Sequence, residues 1–154
     1  ERVKKLGAVV SFFVAHVYHW GDVHIRNFGL ERAAKISPVR SARNCGIPVT
    51  FHQDAPVIQP DMLETVWCAV NRVTRQGVPL GTEECVSVPE ALQAVTTGAA
   101  YQYFQEKTMG SIEPGKRADF VLLSQDPLEV PKEALREIQV LETIQGGQKI
   151  WCRK

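Results

Sequence analysis

Residues 46–56 read Gly46-Ile47-Pro48-Val49-Thr50-Phe51-His52-Gln53-Asp54-Ala55-Pro56. A glycine opens the run, apolar and β-branched residues fill it, and a His-x-Asp triplet followed by Ala-Pro closes it. That is the pattern of a short buried strand whose last residues emerge into a loop. In parallel α/β folds ligands gather at the carboxyl edge of the sheet, and in β/α barrels the reacting groups come from the tips of several strands. Asp54 is the first candidate on that ground. The same residues also read as a plain turn, because Asp is a common turn-former ahead of a proline.

Upstream, Glu1 to Leu6 has a helix-like pattern closed by Gly7, and Ala8 to Ala15 (AVVSFFVA) is almost continuously apolar, which predicts a fully buried strand of the parallel type. His16 to Asn27 carries three of the four histidines with no clear periodicity and is expected to be a long loop at that strand's end. Ser37-Pro38 predicts an N-cap and a short helix that Gly46 ends. Pro60-Asp61 opens a longer helix to about Arg75 with Met62, Val66, Ala69, Val70 and Val73 on one stripe, and Trp67 and Cys68 read as core. Ser87-Val88-Pro89-Glu90 is a capping box, and a short helix is expected from Ala99 to Phe104. Beyond Lys107 the pattern changes. Turns around a short strand are expected at Met109 to Lys116, a strand at Ala118 to Leu123, a small helix at Pro131 to Glu137, and a hairpin about Gly146-Gly147. A boundary near Thr108 divides the chain into residues 1–107, with α/β alternation, and 108–154, with β-structure.

The composition excludes several classes. With 154 residues, 44% hydrophobic and 23% charged, the chain is ordinary globular material. Its 18 basic and 17 acidic residues are scattered, so no block tracks a phosphate backbone or an anionic membrane, and neither nucleic acid nor membrane is expected as a partner. Cys45, Cys68, Cys85 and Cys152 are far apart without a C-x-x-C pair, which suits reduced thiols and a cytoplasmic location. The chain opens at Glu1 inside a helical pattern, as a piece of something longer would.

Residues Gly110 to Pro127, GSIEPGKRADFVLLSQDP, resemble the carboxyl end of the metal-dependent amidohydrolase superfamily, where a Gly-x-Ile-x-x-Gly-Lys-x-Ala-Asp turn and strand leads from the barrel into a small β-sandwich. Thr96-Thr97-Gly98-Ala99-Ala100 resembles the family's preceding helix, with Gly98 where asparagine is common, and Gly46 to Pro56 resembles its last barrel strand. The local wording is most similar to the branch with N-acyl-amino-acid deacylases and related amide or formamide hydrolases. The resemblance implies an α/β fold, the C-terminal portion of a TIM-like β/α barrel followed by strands of a composite sandwich. A whole barrel takes ~250 residues. Only Ala8 to Ala15 and Ile47 to Phe51 read as barrel strands here, and the family's His-x-His pair, bridging residue and later histidine ligands are expected before Glu1.

By the same resemblance Asp54 is the terminal metal ligand and the base toward the attacking water, and zinc or another divalent metal is expected in the complete enzyme, acting on amide or similar C–N bonds of a small molecule. A hydrolytic zinc site has three protein ligands and an open position, so Asp54 alone does not hold the ion. His52, two residues away, shares a strand face with Asp54 in a regular strand and is either a substrate or supporting contact or a histidine satisfying a loop hydrogen bond. His16, just past the other strand tip, is a possible substrate or supporting contact. His19, Asp22 and His24 raise the weaker alternative of a self-contained metal cluster. Arg26 and Arg40 are either carboxylate-binding or surface residues. Lys116 and Asp119 belong to the sandwich motif and read as structural. The competing reading is a non-catalytic truncated barrel that self-associates or complements another chain, covering its exposed strand edges.

Overall fold

The computed structural model describes all 154 residues. Helix α1 (Arg2–Lys5) is closed by Gly7, whose φ of +63° turns the chain into strand β1 (Val10–Phe12). β1 lies parallel to β2 (Val49–Phe51), with Val10 opposite Val49 and Phe12 opposite Phe51. All three residues of β2 are buried, while those of β1 are half-buried. The expected strand from Ala8 to Ala15 is therefore shorter and less covered than its apolar run suggests. β1 pairs with one neighbour only, and Val14 and Ala15 reach the core through a turn.

That turn leads directly into α2 (His16–Phe28), which corrects the expected loop over the same residues. Val17 and Gly21, four apart, bury one face, while His16, Trp20 and His24 repeat at the same spacing on another. Gly21 is required by the approach of the next layer: a Cβ there would lie 2.7 Å from the Thr74 methyl group. After α3 (Leu30–Ala33) comes α4 (Val39–Asn44), and it is not capped by Ser37. Ser37 has φ +46° and turns its hydroxyl to donate to the Phe13 carbonyl, tying this loop to the end of β1.

Helix α5 (Met62–Asn71) is capped as the sequence predicts, Asp61 accepting from the N–H groups of Leu63 and Glu64. It stops at Asn71 rather than Arg75, because Arg72 enters the left-handed region at φ +47°. Its residues Thr65 to Val70 are all buried, so the helix is enclosed on more than one stripe. Val66 and Val70 each contribute about 1.5–3 kcal/mol by leaving water. Helix α6 (Val88–Val95) starts at the Ser87–Glu90 capping box, and α7 (Thr97–Gln102) follows.

The turns from Met109 to Lys116 contain no strand, contrary to expectation. β3 (Phe120–Leu123), β4 (Val140–Gln145) and β5 (Gln148–Cys152) form a separate antiparallel sheet in the order β3-β4-β5, its hairpin turned by Gly146-Gly147. Between β3 and β4 a 3-10 turn at Lys132–Glu137 sends Leu135 and Ile138 back into the main core beside α5. Trp67 fastens it there: its indole N–H donates to the Glu133 carbonyl, and the Arg136 guanidinium stacks 4.3 Å above its ring.

Candidate active site

The parallel register brings the carboxyl ends of β1 and β2 to one edge. The His52 N–H donates to the Phe12 carbonyl across the pair. Past β1 come Phe13 and His16; past β2 come His52, Gln53 and Asp54. His52 is half-buried, with Nδ1 2.9 Å from the Ser11 hydroxyl and its ring 5.5 Å from that of Phe13. The strand ends at Phe51, so the two-residue period linking His52 to Asp54 does not carry through. Asp54 sits instead in a turn at φ +53°, exposed to solvent. Between them Gln53 is buried, its amide donating to the Asp61 carbonyl at the start of α5, while its own carbonyl oxygen has no partner.

His16, the first residue of α2, faces the same edge. Burial first, and then its neighbours His24 and His52, hold its imidazole below the usual histidine range, while the negative charge of Asp54 pulls the other way. The structure thus brings His16, His52 and Asp54 to a common edge. It also brings His24, a weaker candidate from its spacing alone: Nε2 of His24 lies 3.3 Å from Nδ1 of His16. The signal was present as the His16–Trp20–His24 spacing, but the lack of aliphatic residues on that face disguised it.

His19 belongs to a different face of α2, between Glu64 at 3.3 Å and Arg75 at 3.4 Å, and Asp22 accepts from the Gln76 N–H. The alternative of a metal cluster built on His19, Asp22 and His24 is overturned by that divergence. Arg26 is exposed on α2. Arg40 lies near the other end of β2, where it forms a bidentate pair with Glu90 at 2.8 and 2.7 Å and donates to the Cys85 carbonyl. Lys116 donates to the Ser111 hydroxyl at 2.6 Å, and Asp119 accepts from the Gly146 N–H at the hairpin, so both tie turns together as expected. The largest cavity, about 900 Å³, lies away from the strand tips, between α5, α6 and the antiparallel sheet, lined by Leu63, Val66, Leu92, Val95, Val121 and Leu123.

A hydrolytic divalent ion requires about three protein ligands. Asp54 offers an exposed carboxylate, but no group of three or more His, Cys, Asp or Glu side chains converges where it could hold an ion. The donor set of these residues by themselves does not fit such a metal.

Comparison with known proteins bears on the family and the fold. A model of the amidohydrolase family matches residues 1–150. An N-substituted formamide deformylase of Arthrobacter pascens is 34% identical over 152 residues, 96% of this chain and 27% of that one. The chain spans about a quarter of the length of the curated relatives it matches. Among solved structures, an uncharacterized metal-dependent hydrolase from Pyrococcus horikoshii superposes with a TM-score of 0.72 at 27% identity, over 85% of this chain and 27% of that one. Guanine deaminase of Escherichia coli shares the fold, with a TM-score of 0.67 at 17% identity over 99% of this chain and 36% of its own. The family match runs through the parallel strands, the capped helices and most of the antiparallel sheet, and the chain belongs to the amidohydrolase family.

Proposed function

We propose that this chain supplies one corner of a metal-dependent hydrolase of amide or similar C–N bonds, with Asp54 as the contributed metal ligand and as the base that takes a proton from water. The observation that carries this reading is an exposed carboxylate just past the tip of β2, at the edge shared with the end of β1. Zinc or a related divalent ion, when bound, lowers the pKa of water. The remaining ligands come from outside residues 1–154, which is the reading that the incomplete donor set supports. Asp54 holds the proton at its carboxylate, while His52, oriented by Ser11, and His16 contact the small-molecule substrate. The organisation into barrel residues 1–107 and sandwich residues 108–154 belongs to the same proposal, as does a cytoplasmic location. No helix is long and apolar enough to cross a membrane.

A second reading is favoured by one observation: Phe120 and Leu122, two apart on β3 and so on one face of the antiparallel sheet, are exposed. Such a face is covered by a second copy or by another segment of a longer polypeptide.

The test is metal content per chain, with hydrolysis of N-substituted amides and formamides, for the wild type and for Asp54→Asn. Stoichiometric divalent metal that the variant loses supports the proposal. Equal metal and equal turnover in both would remove Asp54 from the site. A metal-free, folded chain that sediments as a dimer favours the second reading.

A further inference from the structure

His16, Trp20, His24 and Phe28 follow one another along α2 at four-residue spacing. The planes of His16 and His24 are within 9° of each other, their centroids are 5.6 Å apart, and the facing nitrogens are 3.3 Å apart. The nitrogens are closer than the centroids by about two ring radii. The rings therefore meet edge to edge, each with a nitrogen aimed at the other. Two lone pairs directed at one another repel, and two N–H groups clash, so the arrangement is stable when one proton lies between them. Trp20 packs 4.8 Å and Phe13 4.6 Å from the His16 ring, which thins the water around the pair and strengthens a shared proton.

We propose that His16 and His24 act as one proton-holding dyad at the carboxyl edge of the parallel strands, passing a proton between solvent and the Asp54 end. The dyad itself stands on ring geometry, and only its connection to chemistry rests on the proposed role of Asp54. In the step, the free nitrogen of His24 takes a proton from solvent. The bridging proton then moves from Nε2 of His24 to Nδ1 of His16, and His16 releases the proton on its own Nε2 toward the strand edge. One proton enters and one leaves, and each ring ends neutral in its other tautomer. The reverse sequence exports a proton.

The titratable groups around His16 are His24 and His19 on α2, His52 beyond β2 and Asp54 in the following turn. His19 lies on its own face of α2, 3.3 Å from Glu64 and 3.4 Å from Arg75. No hydrogen bond or ion pair joins His16 to Asp54, so the negative charge acts on the dyad only through space.

The experiment is an imidazole ¹H–¹⁵N NMR titration of this chain as wild type, His24→Gln and Asp54→Asn. In the wild type the pair is expected to protonate in two steps separated by more than about one pH unit, as coupled sites do. In His24→Gln, His16 should show a single step above the lower wild-type one. In Asp54→Asn the split should remain while the His16 step moves to lower pH, since a negative charge that favours the protonated ring is gone. A His16 curve identical in wild type and His24→Gln overturns the dyad. A curve unmoved in Asp54→Asn overturns its connection to that end. Should His24→Gln not fold, the wild-type ¹⁵N shifts decide alone: two rings titrating independently refute the shared proton. Failure of the hydrolase reading is seen separately, in metal content and turnover.

Discussion

Arg72 should be among the most costly residues to replace, and the reason lies in four carbonyl groups. Its side chain is fully buried, and its hydrogen-bond partners are all backbone carbonyls. Nε donates to the Leu80 carbonyl at 3.0 Å, Nη1 to Ser37 at 3.0 Å, and Nη2 to Ile36 at 2.9 Å and Ala34 at 3.4 Å. One guanidinium thus joins the end of α5 to the loop before α4, the loop whose Ser37 hydroxyl reaches the end of β1. Burial pushes its pKa below the usual arginine value, with Cys85, Glu84 and Glu83 opposing, so keeping the charge there has a cost. Arg72→Met keeps the aliphatic stem and releases that cost, but strands the carbonyls at about 1 kcal/mol or more each. The net expected loss is about 2–4 kcal/mol, a large share of a typical 5–15 kcal/mol stability. Gly81→Ala attacks the same junction from the other side: its Cβ would lie 2.1 Å from the Ala34 oxygen at a backbone φ of +64°. Urea unfolding followed by circular dichroism, with an unchanged denaturant slope, measures both. A neutral or more stable Arg72→Met would mean that burial of the charge outweighs its hydrogen bonds, and the reasoning would fail.

Two further outcomes test the packing. Gly98 stands where the family motif that this stretch resembles has asparagine, and a Cβ there would lie 2.9 Å from the Val49 oxygen and 3.0 Å from that of Gln93. Gly98→Asn should lower Tm by about 3–6 °C, the effect of 1–2 kcal/mol of overpacking in a domain of this size; an unchanged Tm would show that α7 shifts freely from β2. The Arg40 guanidinium beside Glu90 holds its carboxyl at about 2, against an ordinary value of 4.5. A folded-state value below the unfolded one stabilises above pH 4.5 and is lost as pH falls through about 2. Glu90→Gln should therefore lower Tm at neutral pH and flatten the acid limb of a Tm-against-pH curve, and an acid limb of unchanged slope would contradict the assignment.

Features with local causes were legible in the sequence. Ser87 and Glu90 cap α6, Asp61 caps α5 and Gly146-Gly147 turns the hairpin, because each needs only its neighbours along the chain. Features set by neighbours in space were not. The run AVVSFFVA looks the same whether one strand or two lie beside it, so the true length of β1 was hidden. Helix α2 was missed because His16, Trp20 and His24 form a stripe of polar aromatic rings where aliphatic residues usually give the period. Arg72 gave no sign, since its partners are backbone groups up to 38 positions away. The strand-end position of Asp54 was readable, but its turn conformation was not: the alternation argument depends on the strand continuing, and it ends at Phe51.

The two ends of β2 differ in how their charges are matched, and that contrast separates a turn-forming Asp54 from a functional one. At the amino end, Glu90 accepts from Arg40 and Arg43 and also caps α6, so its charge is consumed by the fold. At the carboxyl end, Asp54 is exposed in a left-handed turn, where its backbone carbonyl accepts from the Val57 N–H. Asparagine tolerates the left-handed conformation at least as well as aspartate, so Asp54→Asn preserves the turn and removes only the charge. Its Tm should stay within about 1 °C of wild type, a surface change of well under 0.5 kcal/mol, while Glu90→Gln falls several-fold further. In barrels of this kind, stability is concentrated at the amino face and chemistry at the carboxyl face. A loss of stability in Asp54→Asn as large as that in Glu90→Gln would place the Asp54 carboxylate in the fold itself, and the case for it as a ligand and base would fall.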